Sequence, residues 1–302
     1  MKTRPGLWSS SSDHRAGGAA FLFSAPAVLV LTATILFPLG YAVVLSCQQY
    51  VLTMPNHSFV GLDNYARILE SSTFWGSLGT TCVFALSAVV LVIGIGFLVG
   101  LLLNVKFPLR GVLRAVILVP WAVPPVVNGL IWKWLLDPKY GVINGLGVQW
   151  GLLDTYQPWL TQMPQAFFWV VTAYVWSQIP LAALLLLAGL QTIPRSLYEA
   201  AEVDGANVFQ RLTAVTLPSI KPVVLVLLIF ETVSALKAFD IIYVLTGGGP
   251  GDSTTVLGWA IYSTTFQQLN FGQGSALAIL LGLVTMVLAV VFFKTLGKNR
   301  EE

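Results

Sequence analysis

Charged residues are scarce in this chain. They make up 10% of its 302 residues, whereas a soluble domain averages roughly 25%. So few charged groups cannot cover a water-facing surface, which excludes a disordered protein, a nucleic-acid binder and an ordinary cytosolic enzyme. The net charge of +3 is too small to indicate acidic partners. Hydrophobic residues reach 56% and the mean hydropathy is +0.79, so the composition indicates an integral membrane protein.

Residue types that carry chemistry are also few. The chain has two cysteines and two histidines, and it contains neither a Gly-x-x-x-x-Gly-Lys phosphate loop nor a His-Glu-x-x-His motif. Cys47 and Cys82 lack metal-ligand spacing and adjoin apolar runs, so we expect buried or lipid-facing thiols. The glycine-rich stretch 247–251 has no following lysine and is expected to form a tight turn. We therefore predict no catalytic residues and no metal site, and we do not expect an enzyme.

Long apolar runs predict membrane spans, each of which needs about 20 mainly apolar residues. The first run is longer than the core of a signal peptide, so we expect a retained helix. Gly96 and Gly100, inside the second run, permit close helix packing. Three prolines within residues 120–125 predict a broken third span, and Pro180 predicts a bend in the fourth. The expected fold class is an all-α integral membrane protein with six transmembrane helices, at about 19–45, 76–103, 113–135, 165–190, 222–245 and 275–293.

Lysine and arginine are distributed unevenly among the connecting segments. If the N-terminus is cytoplasmic, the inner segments together with Arg114 hold about 12 of the 16 basic residues. Cytoplasmic loops carry such an excess, so we expect both termini in the cytoplasm. The predicted organisation is a cytoplasmic tail at 1–18, a transmembrane domain at 19–296 that includes a cytoplasmic loop at 192–218, and a cytoplasmic tail at 297–302.

The inner loop between the fourth and fifth spans has the pattern of two short helices. Pro194 suits the first turn of a helix, Gly205 can take the left-handed conformation that ends it, and Asn207 can cap the next one. The alanines between them would let the backbone of another protein approach closely. An amphipathic helix lying on lipid would have a similar composition, so composition alone leaves both interpretations open.

The same loop resembles the EAA loop of the permeases of ABC importers. The pattern runs Glu199-Ala200-Ala201, then Gly205, then nine residues, then Val215-x-Leu217-Pro218, with Val215 where the family usually has isoleucine. Two further stretches resemble the sugar-importer branch, and in particular its maltose-type first permease subunit: Phe239-Asp240-x-x-Tyr243-x-x-Thr246-Gly-Gly-Gly-Pro250, and Trp132-x-Trp134 with Asp137, Gly141 and Asn144. The resemblance covers residues 19–296.

This resemblance implies an assembly. Permeases of this kind pair with a second permease subunit, usually as a heterodimer, above two ATPase subunits, and an extracytoplasmic binding protein delivers the solute. The implied location is the bacterial cytoplasmic (inner) membrane, with no nucleic-acid partner. No cofactor is expected on this chain, because ATP and Mg would bind the partner ATPase subunits. The EAA helix docks in a cleft of the ATPase, which makes the expected coupling residues Glu199, Ala200, Ala201, Asp204 and Gly205.

Polar residues inside the spans mark a candidate solute path. Glu231 lies ten residues past Lys221, about 15 Å along a helix and near the membrane midplane. It fits either the path or a structural bond to a neighbouring helix. Lys237 and Asp240 are three residues apart and can pair near the outer end.

In the family, solute contacts come from the fifth span and from the fourth span roughly twenty residues before the EAA glutamate. Counting back from Glu199 reaches Trp176, whose flat face suits a sugar ring, although a membrane Trp also serves as an anchor or packing residue. The resemblance thus implies a candidate path that consists of Trp176, Ser177, Gln178, Leu181, Glu231, Ser234 and Lys237.

The function implied is import of a sugar or oligosaccharide by alternating access, driven by partner ATPases. Charged groups at Glu231 and Lys237 depart from an all-neutral sugar site, so a polyol or glycerol-phosphate-type solute stays open. A self-contained secondary carrier would not need the EAA loop. A membrane-embedded transferase would need Asp, His or Ser clustered at an interface, which the sequence does not show.

Overall fold

The computed structural model describes residues 23–55 and 57–297. The tail predicted at 1–18 lies outside the described residues, and so do residues 298–302 of the C-terminal tail. The described chain is mostly helical. Its helices are α1 (Phe23–Ser46), α2 (Asp63–Glu70), α3 (Ser72–Asn104), α4 (Arg110–Ala122), α5 (Pro125–Leu135), α6 (Val142–Gln149), α7 (Gln165–Gln191), α8 (Arg195–Val203), α9 (Val208–Leu236), α10 (Asp240–Leu245), α11 (Leu257–Tyr262) and α12 (Phe271–Gly297).

Five of these helices are long and apolar enough to cross a membrane, namely α1, α3, α7, α9 and α12. A sixth span is formed if α4 and α5 count as one, although they are bent by 95° where they meet. The bend follows from the local sequence, because residues that precede a proline avoid the helical region. Val123 and Pro124 are accordingly extended, with ψ of 127° and 141°. The predicted all-α membrane fold and its broken third span are confirmed.

Helix α7 lies at the centre of the fold. In its apolar 18-residue stretch, 61% of the helix is buried within the chain. The same fraction for α1 is 6%. Its main neighbour is α3, and the two helices approach closely where α3 has glycines. A Cβ on Gly96 would lie 2.9 Å from the Cβ of Ala182, and one on Gly100 would lie 3.2 Å from the carbonyl oxygen of Ala183. The close packing predicted for this glycine pair is thus present.

The same contacts fix the direction of the helices. Gly96 faces Ala182 and Gly100 faces Leu186, so α3 and α7 run parallel. The segments that precede both helices therefore lie at one end of the molecule, and α8, which follows α7, lies at the opposite end. The end without α8 carries a small antiparallel hairpin of β1 (Gln48–Gln49) and β2 (Ser58–Phe59), and the segment before α12 joins it there by a bridge between Val51 and Asn270.

The fifth span differs from the predicted 222–245. Helix α9 begins earlier, at Val208, and ends at Leu236, after which the chain restarts as α10. The prolines predicted to separate the loop from the span are accommodated inside the helix, since a π turn over Leu212–Thr216 precedes them. The Ser219 hydroxyl also donates to the carbonyl oxygen of Val215 at 2.6 Å. Serine and threonine hydroxyls and local π turns of this kind accompany prolines in membrane helices.

Smaller expectations are met as well. Cys47 and Cys82 are free thiols, half-buried and exposed respectively. Residues 247–251 form a tight turn in which Gly247, Gly248 and Gly251 have positive φ.

Candidate functional site

A cavity of about 450 Å³ lies where two helix breaks face α7. One break separates α4 from α5. The other separates α9 from α10, where Lys237 closes one helix and Asp240 stands in the first turn of the next. Irregular backbone at membrane depth is tolerated where it borders a cavity or packs against protein. The lining residues are Trp121, Val123, Pro125, Asn128, Tyr174, Ser177, Gln178, Ser234, Lys237, Ala238, Phe239, Asp240 and Ile241.

The polar groups of the cavity are only partly satisfied within the chain. Asn128 donates its side-chain amide to the carbonyl oxygen of Ala173 at 3.0 Å, but its own oxygen is buried and accepts nothing within the described residues. The Tyr174 hydroxyl is also buried and has no hydrogen-bond partner within the described residues. Gln178 donates to the Ser177 hydroxyl at 3.2 Å. Since buried polar groups normally have partners, these amide and hydroxyl groups could accept or donate hydrogen bonds to a polar solute.

Four of the seven predicted path residues meet in this cavity, namely Ser177, Gln178, Ser234 and Lys237. Trp176 and Leu181 are not among its lining residues. The ring of Trp176 instead meets Trp132 edge-on, with 6.1 Å between ring centroids. Consecutive helical residues point about 100° apart, so Trp176 and its two successors cannot all face the same space.

Glu231 also lies outside the cavity lining. It is 1% exposed and shares a helix face with the buried Leu227 and Ala235. Helix α9 packs against both α3 and α7. Neither carboxylate oxygen has a hydrogen-bond partner within the described chain, so the structural bond considered for this residue is absent there.

The ion pair expected between Lys237 and Asp240 is not formed in the described chain. The expectation assumed one continuous helix, and that helix ends at Leu236. Both side chains line the cavity separately, which places one positive and one negative group beside the same space.

Several lining residues were not predicted, including Asn128, Tyr174 and Phe239. Asn128 could have been predicted from the sequence, because it is an amide inside an apolar span, three residues after the double proline. Tyr174 and Phe239 could not have been predicted from the sequence, which shows only that they are aromatic. The packing between helices decides which side chains border the cavity.

The loop with the EAA pattern forms α8, a turn and the beginning of α9. Gly205 ends the turn of α8 with φ of +74° and donates its N–H to the carbonyl oxygen of Glu202 at 3.0 Å. Asn207 caps α9 with a full capping box, in which Gln210 is the partner. The predicted glycine turn and asparagine cap are both present. Pro194 occupies the cap position of α8, one residue before the expected first turn.

The expected coupling residues lie on an exposed surface. None of the residues in α8 is buried. Glu199 pairs with Arg195 at 3.1 Å, and Glu202 pairs with Arg211 at the start of α9. Large apolar side chains stand out beside them: Val203 is 88%, Val208 75% and Phe209 71% exposed.

Comparison with known proteins identifies the chain. Residues 92–298 match the family model of the binding-protein-dependent transport system inner membrane component. The trehalose/maltose transport system permease protein MalF of Thermococcus litoralis is 39% identical over 97% of this chain and 98% of its own length. The sulfoquinovosyl glycerol transport system permease protein SmoG of Agrobacterium fabrum is 38% identical over 91% of this chain and 89% of its own. The trehalose transport system permease protein SugA of Mycobacterium tuberculosis is 37% identical over 92% and 88%.

Solved structures give the same fold. A chain of a bacterial ABC transporter involved in the import of the acidic polysaccharide alginate superimposes with a TM-score of 0.81 at 21% identity, covering 94% of this chain and 96% of that one. The resemblance predicted from the loop pattern is confirmed by the family model and the relatives together. With more than half of its length matched by the family model and relatives above 30% identity along nearly all of it, the chain belongs to the family of binding-protein-dependent transport system inner membrane components.

Proposed function

We propose that this chain is a permease subunit of an ATP-driven importer that carries a sugar or short oligosaccharide into the cell. The single observation that supports this most is the 39% identity, over 97% of the chain, to a permease named for trehalose and maltose. The cavity supports the same conclusion, because hydroxyl and amide groups at Ser177, Gln178 and Asn128 suit the hydroxyls of a sugar. The charged groups of Lys237 and Asp240 would strengthen such bonds.

A second solute class has one observation in its favour. Lys237 is the only basic side chain among the cavity's lining residues. It would attract the acidic group of a glycerol-phosphate-type solute, and it could donate hydrogen bonds to the hydroxyls of a polyol. The relative named for sulfoquinovosyl glycerol makes a glycerol-linked solute a realistic alternative. Competition between maltose or trehalose and glycerol phosphate for uptake would separate the two classes.

The chain carries no predicted nucleotide site, so energy must reach it through contact with partners. In the proposed assembly two ATPase subunits bind ATP and Mg, α8 docks on one of them, and a second permease completes the channel. The exposed Val203, Val208 and Phe209 support a docking role, since apolar side chains left in water usually mark an interaction surface. Glu199, Ala200, Ala201, Asp204 and Gly205 would form the contact, and the loop that bears them would face the cytoplasm together with both termini.

Alternating access would follow from rigid-body motion. ATP-driven closure of the ATPases would push α8, open the cavity away from the cytoplasm and let a docked binding protein release its solute. A separate carrier that works without ATP would need none of these contacts.

The first experiment is purification of the tagged chain from native membranes in mild detergent, with mass spectrometry of the proteins that accompany it. We expect an ATPase subunit and a second permease, and ATP-dependent uptake of labelled maltose or trehalose once the complex and its binding protein are placed in liposomes. Solute transport by the chain alone without ATP would overturn the proposal and indicate a secondary carrier.

Single substitutions then test the cavity. Gln178→Ala should raise the KM for uptake, because it removes an amide that borders the solute. Trp176→Ala leaves the cavity lining intact and should change the KM little. If Trp176→Ala has the larger effect, the solute path runs along the face of α7 that bears Trp176.

A further inference from the structure

Aromatic rings form a continuous row beside the cavity. The row begins with Phe239 and Tyr243, which flank the start of α10, and continues with Trp259 and Tyr262 of α11. Ring centroids are 5.4 Å apart between Phe239 and Tyr262 and 5.5 Å apart between Tyr243 and Trp259, with interplanar angles of 23° and 28°. Tyr262 is 5.3 Å from Phe266. These separations are those of stacked aromatic pairs.

The row connects the cavity to one end of the molecule. Phe239 is itself a lining residue of the cavity. At the other end, Phe266 meets Phe271 at 6.1 Å, and Phe271 meets Tyr50 at 5.9 Å, next to the small hairpin. This is the end opposite α8, where a delivered solute would arrive.

Two glycines make room for this row. A Cβ on Gly248 would lie 2.5 Å from the indole nitrogen of Trp259, so only glycine lets the turn at 247–251 close over that ring. A Cβ on Gly258 would lie 3.2 Å from the Cβ of Phe239, which brings α11 against the start of α10. The glycine-rich stretch therefore positions the rings.

Two rings of the row stay partly exposed although the rings contact each other. Tyr243 is 44% and Phe266 is 58% exposed, whereas Trp259 is 8% exposed and forms the base of the stack. The hydroxyls of Tyr243 and Tyr262 have no hydrogen-bond partner within the described chain. An aromatic face with a free hydroxyl beside it suits a pyranose ring, which offers C–H groups on one face and hydroxyls at its rim.

An aromatic belt at the lipid headgroups would also place tyrosines and tryptophans near the end of a span. A belt follows the membrane plane and does not lead into a polar cavity. This row runs from the hairpin end inward, and its innermost ring lines the cavity.

We propose that Phe239, Tyr243, Trp259, Tyr262, Phe266 and Phe271, the aromatic track, form a second sugar-binding site between the hairpin end and the cavity, along which pyranose rings stack as they enter. This inference rests on the proposed sugar import. It assigns a role to Phe239 and Tyr243, which the sequence offered only as part of a resemblance, and to four rings that the sequence did not single out.

Accessibility to water is the first test. In a background without Cys47 and Cys82, the variants Tyr243→Cys and Phe266→Cys are assembled with their partner chains and treated with a charged, membrane-impermeant thiol reagent, in the resting and in the ATP-bound complex. We expect both thiols to react and maltose or trehalose to slow the reaction. Leu86→Cys on α3, at a side chain that is 67% exposed, is the control and should stay unreactive in lipid. Failure of both track thiols to react in either state would overturn the proposal, as would cross-linking of both to the second permease.

Uptake kinetics are the second test. Tyr243→Ala and Phe266→Ala should raise the KM for binding-protein-dependent uptake of maltose or trehalose roughly two- to tenfold, whereas Tyr243→Phe and Phe266→Tyr should retain most of the affinity. Phe168→Ala, which removes an exposed ring that meets Trp169 edge-on outside the track, should leave the KM unchanged. Normal KM values in both alanine variants, with sugar uptake intact, would overturn the track alone. Absence of maltose and trehalose uptake in the unsubstituted complex would instead overturn the sugar assignment.

Discussion

Two regions of the molecule differ in how far their side chains are packed: the contact between α3 and α7, and the loop that contains α8. At the first, Gly96 and Gly100 lie so close to α7 that no larger side chain fits. At the second, none of the residues in α8 is buried, and its charged side chains pair only with nearby neighbours. The interior contact is complete within one chain, whereas the loop leaves Val203, 88% exposed, without cover.

This difference separates residues that are packed within the chain from residues that are free to contact another protein. Substitutions at the α3–α7 contact should change the stability of the chain and, through it, every activity. Substitutions in the loop should change transport while the chain stays folded. Substitutions of Gly205, Gly96, Glu231, Glu202 and Asp137 test that separation, and their expected effects decrease in this order.

Gly205→Pro should abolish transport while the chain still inserts and folds. Gly205 has φ of +74° and donates its N–H to Glu202, whereas proline fixes φ near −65° and has no N–H. The turn after α8 must therefore change shape. ATP-dependent uptake by the reconstituted complex measures the effect.

Gly151→Pro is the matched control for the backbone change. Gly151 has φ of +68°, donates its N–H to Val148 and lies in the loop before α7. The Gly151→Pro variant shows how much a glycine-to-proline replacement at positive φ destabilises the chain when it lies outside α8. Transport at the normal rate by Gly205→Pro would show that α8 does not couple the chain to an ATPase.

Gly96→Val should destabilise the chain by about 1–3 kcal/mol, because the added atoms would collide with Ala182 and force α3 away from α7. Thermal unfolding of the purified complex measures the loss. Gly94→Val, two residues away, has nothing within 4 Å of the added Cβ and should unfold like the unsubstituted protein. Equal unfolding temperatures for the two variants would mean that the helices are not in contact.

Glu231→Met should raise the free energy of unfolding by about 1–2 kcal/mol, because it removes a buried polar group that has no partner within the described chain. The unfolding temperature of the complex is again the measurement. A decrease would indicate that a partner chain in the assembled transporter satisfies this carboxylate. Normal uptake by the variant would place Glu231 outside the solute path.

Glu202→Gln should change the free energy of unfolding by less than about 1 kcal/mol, since Glu202 is exposed and pairs at the protein surface contribute little, although its partner Arg211 is half-buried. The small difference should shrink further at high salt. A much larger loss would mean that the loop depends on this pair for its shape and is less independent of the interior than its exposure suggests.

Asp137→Asn extends the comparison to the loop after α5 and should have the smallest effect. The N–H groups of Lys139 and Tyr140 donate to the carboxylate at 2.8 and 3.2 Å, and the bond from Lys139 contributes most to holding the pKa of Asp137 below its ordinary value of 3.8. A lowered pKa stabilises the folded chain above the ordinary value, and this contribution is lost as the pH falls through the lowered pKa. The difference in unfolding temperature between the two proteins should therefore be present near neutral pH and vanish in acid. A difference that persists in strong acid would contradict this origin.

The sequence predicted the loop better than it predicted the cavity. The turn at Gly205 and the cap at Asn207 depend on neighbours within a few residues, so the local pattern was sufficient. The cavity depends on where α9 ends, and the span predicted at 222–245 starts later and ends later than the helix at Val208–Leu236. Trp176 and Gln178 are two residues apart, yet only Gln178 lines the cavity, because the rotation of α7 against its neighbours decides which face is presented.

The sequence alone was enough to predict that the chain is a membrane protein, roughly where its apolar helices lie, that the third span is broken, and which loop carries the family pattern. These features follow from composition and short-range periodicity, which are properties of the chain before it packs. The tertiary structure alone decided that α3 and α7 run in contact through glycines, that Glu231 is sealed without a partner in the described chain, and that distant rings line up beside the cavity. Contacts between residues far apart in the chain depend on how helices rotate and cross, and no local pattern encodes that.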